Sequence, residues 1–332
     1  MKGPSMRDIA KAVGVSAVTV SNALGGKNGM SDQVREQIVK TAQEMGYINP
    51  RPQAMNIPRD IGILIPDRFF VPESYYGMFY KTLVKKLKEN GHYSLMELLN
   101  AETEKNGELP DLIRNRHVDG LIMLGETSKE YYREIARCGT PVVFLDFYDD
   151  SCSADSVVSD NTYGCYRLTA HLIREGHERI GFIGNPHATA SIMDRYLGFY
   201  RAMLKNRLAI RPEWILNDRD DDGIMREPVL PEELPDAFVC NCDTVAVQLM
   251  EQLKDRGLRI PEDISVTGFD DHTVGNPPVP SLSTYRPDTE AMAEIAVKKI
   301  TERCAGKTGP FEKTVVSGQP VYRESDITRN QQ

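Results

Sequence analysis

Cysteine is scarce in this sequence and is not arranged for metal or redox work. Six cysteines in 332 residues (Cys138, Cys152, Cys165, Cys240, Cys242 and Cys304) make no disulfide framework, and none forms a C-x-x-C pair. They read as buried or half-buried thiols. Among the six histidines, His171 and His177 stand six apart, so one helix face does not present both to a metal. His177, in EGHER, reads instead as a structural residue between a helix and a strand. The run DRDDDG at 218–223 begins like a calcium loop, but its twelfth position is Val229 where a bidentate Glu is required. It reads as a solvated loop, and neither a metal nor a cofactor is expected. No G-x-G-x-x-G follows a strand-like run, no phosphate-loop lysine motif is present, and no nucleophile with an oriented base can be named. Those absences tell against an enzyme. Long apolar runs are missing too. No segment approaches the ~18 residues that span a bilayer, and MKGPSMRDIAK lacks the apolar stretch of a signal peptide, so a cytoplasmic place without a membrane partner is expected.

What is present is the composition of a globular chain, 40% hydrophobic and 27% charged, long enough for two or three domains. The net charge of −8 is unevenly spread. Residues 1–60 hold eight Lys/Arg against five Asp/Glu, or +3, which leaves −11 for residues 61–332. A surface for nucleic acid is therefore confined to the amino-terminal part, because the remainder repels phosphate.

Three helical patterns fill the first 46 residues. Ile9, Ala10 and Val13 have helical spacing and Gly14 ends the first helix; Ser16 is placed to cap a second over 17–24, with Val20 and Leu24 on one face. A third begins after Ser31 and carries Val34, Ile38, Ala42 and Met45 to a stop at Gly46. About three residues join the first two helices, which suits the steep crossing of a helix-turn-helix. Ala17, Val18, Ser21 and Asn22 then face outward. An apolar side chain in water is poor surface chemistry, yet in a major groove it meets a thymine methyl, while Asn bonds an adenine edge in two places. Ser16, Thr19, Ser21 and nearby amides are suited to phosphates.

Beyond a proline-broken linker, RPQAMNIPRD at 51–60, strand-like runs at 61–65, 118–124, 141–146, 179–184, 236–241 and 263–269 alternate with amphipathic helices. The expected fold class is α/β: two doubly wound parallel-sheet lobes with a ligand cleft at the carboxyl ends of their strands, preceded by a small all-α domain. The expected organisation is a headpiece over 1–48, a linker over 49–60 and a two-lobed core over 61–332.

MRDIAKAVGVSAVTVSNAL, with a third helix ending EMGYIN, resembles the headpiece of the LacI/GalR family of bacterial transcription regulators. DN at 160–161, LIREGHERIGFIG at 172–184, R-x-x-GF at 195–199, CNCD at 240–243 and IPEDISVTGFDD at 260–271 followed by PSLST match that family's effector core in order. The resemblance covers essentially the whole chain. It implies a homodimer on two-fold symmetric double-stranded operator DNA and a periplasmic-binding-protein-like core whose cleft takes a small effector, commonly a sugar or its derivative. It places Ala17, Val18 and Asn22 where the family reads bases. It places Asp146, Arg195, Cys242 or Asp243, and Asp270 at effector-contacting positions, in keeping with carboxylates that accept from hydroxyls and an Arg that donates in a fixed plane.

In the aromatic cluster after the first core strand, Tyr76 and Tyr80 lie at i, i+4 and read as packing. Phe69 and Phe70 sit in the loop at the strand's carboxyl end, where a ring can stack on a sugar face. The linker departs from the family's Asn-x-x-Ala-Arg-x-Leu hinge: Gln53 stands at the alanine and no leucine is present. Met55 or Ile57 is then the substitute minor-groove wedge. The leading expectation is a ligand-controlled regulator, more specifically a repressor. A solute-binding protein without DNA binding is the alternative, and the amino-terminal trihelix counts against it.

Overall fold

The computed structural model describes residues 4–24, 31–45, 47, 57–220, 223–272 and 279–326. In the headpiece, α1 (Met6–Val13) starts at Ser5, whose backbone N–H donates to Asp8 (2.8 Å), and ends at Gly14 with φ of 74°. That left-handed turn is open to glycine at no steric cost. It feeds α2 (Ala17–Leu24), where the Ser16 hydroxyl accepts from the Thr19 N–H at 3.0 Å, and then α3 (Asp32–Glu44). Ile9, Ala10, Val20, Ala23, Ile38 and Ala42 form a separate small core. Val20 thus points inward as its spacing predicts, and the side chain of Leu24 lies outside the described residues.

The core chain runs β1 (Asp60–Pro66), α4 (Tyr75–Glu89), β2 (Tyr93–Leu99), the short helices α5 (Ala101–Asn106) and α6 (Asp111–Arg114), β3 (Gly120–Leu124), α7 (Lys129–Arg137), β4 (Val142–Leu145) and β5 (Asp155–Ser159). It then crosses into a second lobe with α8 (Asn161–Arg174), β6 (Ile180–Ile183), α9 (Ala190–Lys205), β7 (Ile215–Leu216), β8 (Ala237–Cys240), α10 (Asp243–Asp255), β9 (Ser265–Thr267) and β10 (Thr284–Arg286). Helix α11 (Thr289–Cys304) and β11 (Lys313–Val316) return to the first lobe, and β12 (Gln319–Val321) ends beside β10.

The first lobe is a six-stranded parallel sheet in the order β11-β5-β4-β3-β1-β2, and the second a four-stranded one in the order β7-β6-β8-β9. All six strand-like runs of the sequence fall on strands. Of the strands missed, β2 and β11 lie at the edges of the first sheet, β7 has two residues, and β5 is an interior strand whose DSVVS carries only two apolar residues. Strands β3, β4 and β5 are buried along their whole length, as a parallel sheet covered on both faces requires. Helix α11 lays Met292, Ala293, Ala296, Val297 and Ile300 into the core of the first lobe, so the second crossing of the chain is anchored there. Burial of Met292, Val297 and Ile300 contributes about 1.5–3 kcal/mol each, and the alanines less.

In the second lobe α8 and α9 touch closely at Gly198, where a Cβ would lie 2.2 Å from the Thr162 carbonyl oxygen. That close approach accounts for the glycine of R-x-x-GF. Three short crossings join the lobes, at 159–161, 286–289 and 316–319, and they lie together: the Gly318 N–H donates to the Tyr285 hydroxyl at 2.8 Å.

Candidate functional site

On the headpiece, Val18 is 69% exposed and is the most exposed apolar side chain of α2 among the described residues. Asn22, Ser21 and Thr19 are half-buried beside it. Ala17 departs from the expectation: it packs partly against the headpiece core and offers only a margin of its methyl. Ser16 is exposed, and its hydroxyl shares a 2.8 Å hydrogen bond with that of Thr19, so both belong first to the start of α2. Met55 and most of the linker lie outside the described residues.

The cleft forms where the carboxyl ends of the two sheets face each other. Asp146 directly follows β4 with φ of 71°, and Asp270 follows β9 with φ of 114°. Non-glycine residues held in that region cost roughly 1–3 kcal/mol each and persist where the surroundings over-determine them. Asp146 is 4% exposed, and its Oδ2 accepts from the Tyr76 hydroxyl at 2.8 Å. Arg195, projecting from α9 and 5% exposed, donates Nε to Asn161 Oδ1 (2.8 Å) and Nη1 to the Asn241 carbonyl (2.6 Å). Its Nη2 lies 3.4 Å from Asp270 Oδ1, and the Phe269 ring covers its guanidinium at 3.9 Å. Burial opposes the charge of Arg195, but Asp270 and Asp146 outweigh it and hold its pKa up. Burial also pushes the Asp270 carboxyl up to about 7 against the pull of Arg195, and raises Asp146 against Arg195 and Tyr76.

Other groups bridge the lobes around this cluster. Glu126, after β3, accepts from the Ala190 N–H at the start of α9 (2.7 Å); burial lifts its carboxyl to about 7 while that N–H pulls it down. Tyr148 donates to Asp194 at 3.3 Å, and the His272 ring donates to the Glu73 carbonyl at 2.5 Å. The lobes are therefore closed on each other. A cavity of about 870 Å³ opens beside Glu126 and Ala190, between Lys129, Tyr148, His187 and Lys313.

Two of the residues singled out in the sequence do not join the site. Asp243 is 1% exposed and fully engaged: it accepts from the Thr284 hydroxyl (2.6 Å) and the His272 N–H (2.7 Å), tying the loop after β9 to α10. Cys242, the other candidate of that pair, is a half-buried thiol 3.9 Å from Arg219, kept neutral by burial, which pushes its pKa up to about 12. Phe70 turns edge-on to Tyr80 (6.0 Å) and packs on the core of the first lobe, whereas Phe69 stacks on Tyr76 at 5.5 Å under the Arg68 guanidinium.

Tyr76 packs on the core of the first lobe, as its spacing predicts, and its hydroxyl is in addition the partner of Asp146. The sequence reading assigned no role to Tyr75, Arg68, Arg219 or Glu126, and gave Asn161 only as part of the DN match. Arg68, Glu126, Asn161 and Arg219 stand two or three residues beyond a strand's carboxyl end, which is their local signal, whereas Tyr75 opens α4. His177 is structural, fully buried with Nδ1 3.3 Å from Asp236. The loop at 218–223 is not simply solvated, since Asp218 is buried and accepts from the Asn185 N–H (2.9 Å), Asn241 (2.8 Å) and Arg219 (2.8 Å). No group of three metal-ligating side chains occurs among the described residues. Nor is any described helix long and apolar enough to cross a membrane.

A helix-turn-helix headpiece joined to a two-lobed cleft of this construction defines a ligand-responsive, DNA-binding transcriptional regulator. Residues 5–49 match the model for bacterial regulatory proteins of the lacI family, and residues 169–325 match the periplasmic binding protein-like domain. The chain thus joins a lacI-family DNA-binding segment to a periplasmic-binding-protein-like domain. It is 25% identical over 330 residues to the ribose operon repressor of Haemophilus influenzae, covering 97% of this chain and 98% of that protein. To the HTH-type transcriptional repressor PurR of Vibrio vulnificus it is 27% identical over 316 residues, covering 91% and 92%. Among solved structures it shares its fold with a transcriptional regulator CelR–cellobiose complex (TM-score 0.69, 22% identity, 97% of this chain and 99% of that one). The same holds for the lac repressor dimer bound to operator and the anti-inducer ONPF (TM-score 0.67, 20% identity, 98% and 100%). The curated relatives are repressors and not enzymes.

Proposed function

We propose that the protein is a cytoplasmic repressor that binds a palindromic operator as a homodimer and changes its affinity for that operator when a small carbohydrate-like effector enters the interlobe cleft. Residues 1–48 carry the DNA contacts, 49–60 the linker and 61–332 the effector pocket and dimer surface. Val18 and Asn22 read bases, with Ala17 at the margin; Ser16, Thr19 and Ser21 approach phosphates. Asp146, Arg195, Cys242 and Asp270 contact the effector, with Phe69 beneath it. The observation that carries this reading is the convergence of two carboxylates from opposite lobes on one buried arginine, in a chain that also exposes Val18 on its second helix. An effector acts only through its difference in affinity between two arrangements of the lobes, and groups contributed from both sides supply that difference.

The test is operator selection from random duplex DNA with the full-length protein. A two-fold symmetric site should emerge, bound with an affinity that falls steeply with salt. Selection of no consensus, or binding that Asn22→Ala and Val18→Asp leave unchanged, would remove the headpiece from that role.

A further inference from the structure

Helix α9 is apolar on two sides. Its inner side sends Ile192, Phe199 and Met203 into the core of the second lobe, as a helix packed on a sheet requires. Its outer side carries Leu197, Tyr200 and Leu204 at i, i+3 and i+7, and these are 47%, 39% and 56% exposed. A single exposed leucine carries no message, but an apolar stripe at helical spacing marks a surface that another molecule covers. The neighbouring α8 adds Tyr163, also exposed, whose ring stacks on that of Tyr166 at 6.1 Å. Arg201, one turn from both Leu197 and Leu204, lies over the Tyr166 ring at 5.3 Å, so the stripe and the tyrosines form one surface.

The charge of this surface runs against that of the core. Residues 61–332 sum to −11, yet α8 and α9 together hold Arg167, Arg174, Arg195, Arg201 and Lys205 against Asp194 alone. Asp194 and Arg195 are engaged at the cleft, with Tyr148 and with Asn161. Arg167, Arg201 and Lys205 form no ion pair among the described residues, and tyrosine rings support them instead. Arg167 lies 5.9 Å from the Tyr163 ring centre and Lys205 5.6 Å from that of Tyr166, to whose hydroxyl its Nζ also donates at 2.9 Å. On α4 and α7, by contrast, Lys85 and Lys86 meet Glu290 (3.4 and 3.1 Å) and Arg137 meets Glu134 (2.8 Å). A ring under the flat face of a guanidinium steadies it without cancelling its charge or occupying its N–H edge.

We propose that the outer face of α8 and α9 docks an acidic, amphipathic segment of another protein, whose apolar side chains cover Leu197, Tyr200 and Leu204 while its carboxylates pair with Arg167, Arg201 and Lys205. Charge complementarity selects this occupant: the three cations have no carboxylate of their own, and an arginine fork matches a carboxylate with two N–H donors. A nucleic acid fits less well, because a phosphate gains nothing from a stripe of exposed leucines. A second copy of this chain, meeting the first through the same face about a two-fold axis, would set arginine against arginine. Helices of 14 and 16 residues are about 21 and 24 Å long, room for a helical segment of about four turns.

The experiment is selection of a displayed library of random 16-residue peptides on the full-length protein. Fluorescence anisotropy of the enriched peptide then follows on the parent, on Arg167→Glu combined with Arg201→Glu, on Leu204→Asp and on Arg201→Lys. The enriched peptides should carry several Asp or Glu around large apolar residues. The double charge reversal and Leu204→Asp should each weaken binding roughly 10-fold or more, Arg201→Lys should keep most of it, and added salt should weaken it in the parent. All four substituted positions but Arg167 are exposed, so melting temperatures equal to the parent's report that the variants are folded. Enrichment of neutral or basic peptides, of acidic peptides that bind every variant alike, or of none overturns the proposal. Sedimentation of the parent as an assembly that Leu204→Asp disperses would give the face to a second copy instead. Retention of the Val18→Asp protein on non-operator DNA, lost on reversal of Arg167 and Arg201, would give it to nucleic acid, and either result overturns the proposal.

Discussion

Asp146 and Asp270 hold the same station in their two lobes. Each follows the fourth strand of its doubly wound sheet, each has a positive φ, and both act on the one guanidinium of Arg195. Arg195 is therefore as much a keystone of the closed cleft as a candidate ligand contact. Breaking a buried ion pair by deleting one partner costs about 3–5 kcal/mol. Arg195→Ala should accordingly lower the melting temperature of the unliganded protein by several degrees as well as abolish effector binding. Arg195→Met, which also lacks the charge, should melt early too. A melting temperature equal to the parent's in both variants would show that Arg195 serves the ligand alone.

The raised carboxyls give the unliganded protein a pH dependence of defined sign. Asp270 and Glu126 titrate at about 7 in the folded chain, far above their ordinary values of 3.8 and 4.5. Between those ordinary values and 7 the folded state holds more protons than the unfolded one, so stability falls as pH rises across that interval. The loss is on the order of a few kcal/mol. Melting temperature should decline from pH 5.5 to 8, and Asp270→Asn and Glu126→Gln should each flatten the decline. Effector hydroxyls favour the charged carboxylates, so effector binding should strengthen over the same range. A melting temperature that climbs towards pH 8 would contradict this account of the cleft.

In the headpiece, Val18→Asp places a carboxylate at the most exposed apolar position of α2 and should weaken operator binding by roughly 1–3 kcal/mol or more, with little effect on the melt. Ser16→Ala removes the acceptor of the Thr19 N–H and should cost the headpiece about 1 kcal/mol. Mobility shifts and headpiece melting, measured on the same variants, separate reading from folding.

Gly198 is testable by one methyl. A Cβ there meets the Thr162 carbonyl oxygen at 2.2 Å and the Tyr166 nitrogen at 2.9 Å, both of them backbone atoms that do not step aside. Gly198→Ala should destabilise the second lobe by about 1–3 kcal/mol, seen as an earlier thermal transition. An unchanged transition would mean that α8 and α9 part more easily than their packing indicates.

Much of the architecture was legible because parallel strands buried on both faces leave continuous apolar runs: IGILI, PVVFLD and RIGFIG are such runs. Strand β2 escaped because an edge strand exposes alternate residues, and β11 because its exposed positions read as polar loop. For the site, Asp146, Arg195 and Asp270 were legible from motif and position. Asp243 was not separable from Cys242 by sequence, since its engagement depends on Thr284, 41 residues away. The second use of Tyr76 was hidden for a related reason: its ring packs on the core as an i, i+4 aromatic pair suggests, and only the arrival of Asp146, 70 residues on, turns its hydroxyl to use. Arg219 depends in the same way on Asp218 being buried by Asn185 and Asn241.

Strand β1 begins at Asp60, whose N–H is fastened to Asp119 at 3.0 Å, and ends at Pro66, three residues before Phe69. Seven residues of extended chain measure roughly 20 Å, so one straight element has the linker's root at one tip and the aromatic floor of the cleft at the other. It is hydrogen-bonded to β2 on one side and β3 on the other. The loop that bears Phe69 and the root of the headpiece's tether thus share one support, the sheet of the first lobe.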